Sequence, residues 1–126
     1  GYKRCLNLKI NTVIINKNYI NRLKNDWSLC PDHVVFLGGN ACIISSEKNL
    51  KNVLNISPLP PYIFVENKGV FESNNLIKAQ EQQMICYCDL VFRQQAHDKL
   101  DSLSIEQVAD LIDWDAEKYR RKLLNL

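Results

Sequence analysis

Ser28-Leu29-Cys30-Pro31-Asp32-His33-Val34-Val35-Phe36-Leu37-Gly38 is the stretch on which the reading of this chain turns. A turn signal, Pro31-Asp32, leads straight into four apolar residues, Val34 to Leu37, and the run halts at Gly38-Gly39. A short apolar run bounded by turn residues predicts a buried β-strand. Ala41-Cys42-Ile43-Ile44 is a second such run, close enough across Gly38-Gly39-Asn40 to pair with the first as a hairpin.

Downstream, Ser45 or Ser46 is placed to cap a helix over residues 47–54, with Leu50, Val53 and Leu54 inward. Ser57-Pro58-Leu59-Pro60-Pro61 excludes helix, because proline lacks the amide donor and restricts its neighbour. It delivers the chain into Tyr62-Ile63-Phe64-Val65, the third firm strand, which Asn67-Lys68-Gly69 turns into a short return strand at Val70-Phe71. The longest helix is expected from about Asn75 to Phe92, capped by Ser73 or Asn74, with Ile77, Met84, Cys88 and Val91 at helical spacing. Its second half is apolar almost all round, which predicts burial on more than one face or contact with another chain. Ser104-Ile105-Glu106-Gln107 fits a capping box before the stripe Ile105, Val108, Ala109 and Ile112. Asp113-Trp114-Asp115 then opens a last helix carrying Ala116, Tyr119 and Leu123.

Upstream, Leu6, Leu8 and Ile10 alternate ahead of Val13-Ile14-Ile15, consistent with a strand. Asn16 or Asn18 can cap a short helix through Lys24, and Trp27 closes that piece. Strands separated by helices and ending in helix predict one α/β domain over residues 1–126: a small layered sandwich with a mixed sheet and a helical C-terminal tail.

At 126 residues the chain can bury a real core, and 46% apolar with 24% charged residues is ordinary for a soluble globular protein. A net charge of +2 gives no field that would gather nucleic acid or anionic lipid. No apolar run approaches the roughly 18 residues of a membrane span, and no signal-peptide pattern follows Gly1. Five irregularly spaced cysteines, an odd number, argue for reduced thiols and a cytoplasmic protein rather than a disulfide framework.

Candidate chemistry is sparse. His33 and His97 lie far apart with no second ligand at metal spacing, so no metal site is expected within this chain. His33 reads as a structural residue at the start of a strand, bonded to Asp32. Cys30 with His33 is the only suggestive thiol–base pair, and the intervening proline leaves their directions open. Cys86 and Cys88 fall in the apolar half of a helix, where burial suppresses reactivity. Gly38-Gly39-Asn40 lacks the glycine spacing of a phosphate loop, and Arg120-Arg121-Lys122 is accounted for by a helix carboxyl end. The best candidate ligand site is an anion or sugar-phosphate cradle of Lys68 with the amides of Ser73, Asn74 and Asn75, at the expected amino end of the long helix.

Three blocks, in order, carry a family resemblance: Ser28 to Gly38; Pro60-Pro61-Tyr62-Ile63-Phe64-Val65 with Lys68-Gly69-Val70; and Asp113-Trp114-Asp115-Ala116-Glu117-Lys118-Tyr119-Arg120. Together they resemble the carboxyl-terminal domain of long class II aldolase/adducin-like proteins, the group that includes rhamnulose-phosphate aldolase relatives. In that family the metal histidines and the acidic catalytic residue belong to an amino-terminal aldolase-type domain, and none of those motifs occurs here. Cys30 stands where relatives carry an aromatic residue. The resemblance thus implies a non-catalytic accessory and oligomerisation domain of a lyase acting on sugar phosphates. Its partner would be its own amino-terminal domain, lying before Gly1, and zinc is expected only there.

Overall fold

The computed structural model describes residues 1–55, 59–95 and 97–124, and the side chains of these except at Glu47 and 115–124. Ser57-Pro58 and the side chains of Ala116, Tyr119, Leu123 and the basic run 120–122 therefore lie outside the described residues. Four strands, β1 (Tyr2–Arg4), β2 (Cys42–Ile44), β3 (Tyr62–Val65) and β4 (Gly69–Ser73), form one mixed sheet in the order β1-β4-β3-β2. β4 runs antiparallel to both its neighbours, and β2 pairs parallel with β3, placing Cys42 opposite Ile63. Around the sheet lie α1 (Leu8–Thr12), α2 (Lys17–Asn25), α3 (Pro31–Leu37), α4 (Leu50–Leu54), α5 (Lys78–Phe92) and α6 (Ile105–Leu124). This is the α/β architecture with a mixed sheet and helical tail that the element order predicts.

The central strand β3 is buried at all four positions. Successive side chains alternate between the faces of a sheet. Tyr62 and Phe64 point with Val70 into the larger core, among Trp27, Leu37 and Tyr87. Ile63 and Val65 point the other way, against Ile44 and Val53. Helices thus cover both faces, and this explains why β3 reads as an unbroken apolar run rather than an alternation.

The stretch Val34 to Leu37 is not a strand but the body of α3. Cys30 is extended and Pro31 occupies the first helical turn, where its missing amide would be unbonded anyway. Asp32 puts a negative charge on the helix amino end. His33, Val34 and Leu37 are buried at helical spacing, and Gly38 ends the helix at φ 88°. Pro-Asp is a helix start as much as a turn, and four apolar residues fit either period. The expected hairpin is accordingly absent, and β2 reaches β3 through a crossover instead.

Other differences are local. The alternation at residues 6–10 yields α1, capped by the Asn7 Oδ1 that accepts from Ile10 N at 3.0 Å, while the first strand sits earlier at β1. After Ser45-Ser46 a single 3-10 turn (Glu47–Asn49) precedes a short α4, whose Leu54 is exposed rather than inward. α5 begins at Lys78, three residues later than expected, with the Ile77 amide donating to Gln80 Oε1 at 3.1 Å; Ile77 is exposed. The longest helix is α6, one element where two were expected, because nothing in Asp113-Trp114-Asp115 breaks a helix. Of its stripe, only Val108 is half-buried; Ile105, Ala109 and Ile112 are exposed. The caps at Asn16 and in the Ser104–Gln107 box form as read.

Candidate functional site

Where α3 ends, the chain builds an apolar cleft. Gly38 turns the backbone away, and its carbonyl accepts from Trp27 Nε1 at 3.0 Å. The Gly39 carbonyl accepts from Ser28 Oγ at 2.6 Å, and Gln80 Nε2 donates to the Phe36 carbonyl at 3.1 Å. Across the gap, the Tyr2 hydroxyl donates to the Pro60 carbonyl, and the Pro61 carbonyl accepts from Ser73 N at 2.9 Å. The cleft so fixed has a volume of about 670 Å³; Phe36, Cys42, Leu59, Pro61, Gln80 and Ile112 are among its lining residues. α6 closes over its Gly39 edge. A Cβ on Gly39 would sit 2.6 Å from Val108 Cγ1, so only glycine admits the helix this closely.

Chemically the cleft suits an apolar group held by shape. Its thiol, Cys42, is half-buried, and burial pushes its pKa up, which leaves it a poor nucleophile at neutral pH. Residues of the first two sequence blocks line the cleft, and Ile112 adjoins the third. Stretches far apart in the chain therefore meet at one place.

The expected anion cradle is not assembled. Lys68 lies in the β3–β4 turn and Ser73 at the far end of β4, roughly 16 Å along an extended strand. The amides are engaged: Ser73 N with the Pro61 carbonyl (2.9 Å), Asn74 N with the Gly1 carbonyl (3.0 Å) and Asn75 N with Ser73 Oγ (3.1 Å). All three precede α5, whose first turn starts at Lys78. Thermal denaturation is expected to show no specific shift on adding millimolar phosphate, in the wild type and in Lys68→Ala alike; a phosphate-induced shift present in the wild type and lost in that variant would reinstate the cradle.

Nor does the structure join Cys30 to His33. Cys30 is exposed ahead of α3, whereas His33 is 2% exposed, with its ring 4.3 Å from Trp27 and 5.0 Å from Tyr87. Its Nε2 has no hydrogen-bond partner among the described residues, and burial lowers its pKa to about 4. It is a neutral structural residue, as read, but it sits in the core face of α3 rather than at the start of a strand. Cys88 is buried, and burial raises its thiol to about 12, whereas Cys86 is exposed, against expectation. His97 is exposed beside Asp98. Among the described residues no three His, Cys, Asp or Glu side chains gather to hold a metal ion, and no helix is long and apolar enough to cross a membrane. All five cysteines are free thiols.

Sequence reading missed Trp27, which ties the cleft to the core, and Tyr62, whose hydroxyl is buried without a partner among the described residues. An isolated tryptophan after a helix was the only signal for the first; the second gave none, since its surroundings are assembled from β1, β4 and α5. Compared with family models, curated proteins and solved structures, the chain gives no match.

Proposed function

We propose that this chain is a non-catalytic accessory domain of a larger class II aldolase-like protein acting on sugar phosphates, and that it works in the cytoplasm. The observation that carries the reading is the meeting of the first two resembling blocks at one apolar cleft, from α3 to Pro60-Pro61, with Ile112 of α6 beside them. Apolar surface of this size shaped by fixed backbone suits a protein or substrate edge better than water. On this reading the aldolase-type domain of the same polypeptide seats an apolar segment there and assembles the oligomer, while zinc and the proton-transferring groups belong to that domain. Five free thiols suit a reducing compartment.

The test is biochemical. The isolated chain should bind no stoichiometric zinc and turn over no sugar phosphate. The reading frame ahead of Gly1 should encode HxH-type histidines, and Ile112→Glu in the joined protein should lower its oligomeric mass in light scattering. Turnover by the isolated chain, or an upstream frame without such histidines, overturns the proposal.

A further inference from the structure

Tyr62 is 2% exposed, and its hydroxyl is a buried polar atom with no hydrogen-bond partner among the described residues. A buried hydroxyl left unpaired costs free energy that a phenylalanine of the same shape would not. The ring lies on the floor of a second cleft, of about 340 Å³, which it shares with Lys3, Cys5, Ile10, Glu72 and Glu81. That volume is within the range of small-ligand sites.

Two carboxylates share this cleft with the phenol and act on it electrostatically. Glu72 is directly opposite Tyr62 in the β3–β4 register, and Glu81 stands on the first turn of α5. Burial, then the charges of Cys5, Glu72 and Glu81, push the phenol's pKa up, so it stays a neutral O–H beside them. Neither glutamate is in an ion pair among the described residues. Arg4 is turned away, donating to the Lys68 carbonyl at 3.0 Å. Lys3 is paired with Glu72 across β1 and β4, so its ammonium is the cleft's own competitor for the carboxylates. Among the described residues no three metal-ligating side chains gather to hold an ion, and carboxylates beside a hydroxyl suit a cation that donates N–H bonds along fixed directions.

We propose that this cleft binds a small organic cation bearing a primary ammonium group, held by Glu72 and Glu81 and completing the hydrogen bonding of the Tyr62 hydroxyl. The ligand's carbon chain lies over the exposed Leu6 at the edge of the cleft. This site uses different residues from the cleft at the end of α3 and stands or falls independently of the accessory role.

The probe is n-butylammonium chloride, titrated into the full chain and followed by amide chemical shifts. Saturable shifts around Cys5, Glu72 and Glu81 are expected, with a Kd on the order of 1 mM for so small a ligand. Tyr62→Phe, which keeps the ring, and Glu81→Gln, at an exposed position, should each weaken binding about tenfold. Lys3→Met should tighten it, and tetramethylammonium, having no N–H, should not compete. Shifts that fail to saturate by about 50 mM, an unchanged Kd in Tyr62→Phe, or a bound water satisfying the hydroxyl with no amine binding would each overturn the proposal.

Discussion

Lowering the pH from 7 to 4 is expected to remove about 3 kcal/mol of folding stability through His33 alone. In the folded chain its imidazole is buried, and its pKa falls from 6.5 to about 4. The unfolded chain therefore binds a proton first as the pH drops. Above pH 6.5 both states are neutral and the residue exerts no pH dependence. Below it, stability declines by up to about 1.4 kcal/mol per pH unit until the folded pKa is reached, where the loss is complete. Urea denaturation at a series of pH values measures this directly. Carboxylates titrate in part of the same window, so the comparison is with His33→Phe or His33→Leu, which fit an aromatic and aliphatic site formed by Trp27 and Tyr87. The variant should give a flatter profile between pH 4 and 6.5, with wild type and variant differing by a near-constant amount above that range. Equal slopes in the two proteins would refute a buried neutral imidazole.

What the sequence could and could not convey follows from the range of each signal. Cap chemistry is local, and Asn16 and the Ser104–Gln107 box behave as their neighbours dictate. Tyr62 to Val65, with a proline run before it and Asn67-Lys68-Gly69 after it, has no alternative to a strand, and Asn67 at φ 65° makes the expected turn. Val34 to Leu37 is too short for its period to be read, and it was resolved by tertiary packing: α3 lies against α5 and α6, neither of which is near it in sequence. The same limit defeated the anion cradle. Lys68 sits in the turn and Ser73 ends the strand that follows it, so β4 holds the two at opposite ends, and α5 starts later still, at Lys78. The apolar cleft was legible only as separate blocks, since their convergence depends on the parallel pairing of β2 with β3 and on α6 crossing Gly39.

Trp27→Ala is expected to destabilise the fold by about 3–5 kcal/mol, a large part of the 5–15 kcal/mol available to a domain of this kind. The indole is 5% exposed and meets Phe64 of β3 at 5.9 Å, Tyr87 of α5 at 5.1 Å and His33 of α3 at 4.3 Å between ring centroids. Its removal leaves a cavity where three elements join, and none of the surrounding rings can collapse into it without leaving its own strand or helix. Trp27→Phe separates the two roles of the side chain. It retains most of the packing but loses the N–H bond to the half-buried Gly38 carbonyl, a loss of about 1 kcal/mol. The two variants should also differ in where the protein loosens. With alanine, urea midpoints fall and exchange quickens throughout the core; with phenylalanine, amide hydrogen exchange should quicken chiefly from Gly38 to Ala41, at the rim of the apolar cleft. A Trp27→Ala loss below about 1 kcal/mol would mean that the sheet and α5 are held together elsewhere. Uniform exchange in Trp27→Phe would mean that the Gly38 bond does not shape the cleft, and the proposed docking surface would then rest on the bonds of Ser28 to Gly39 and of Gln80 to Phe36.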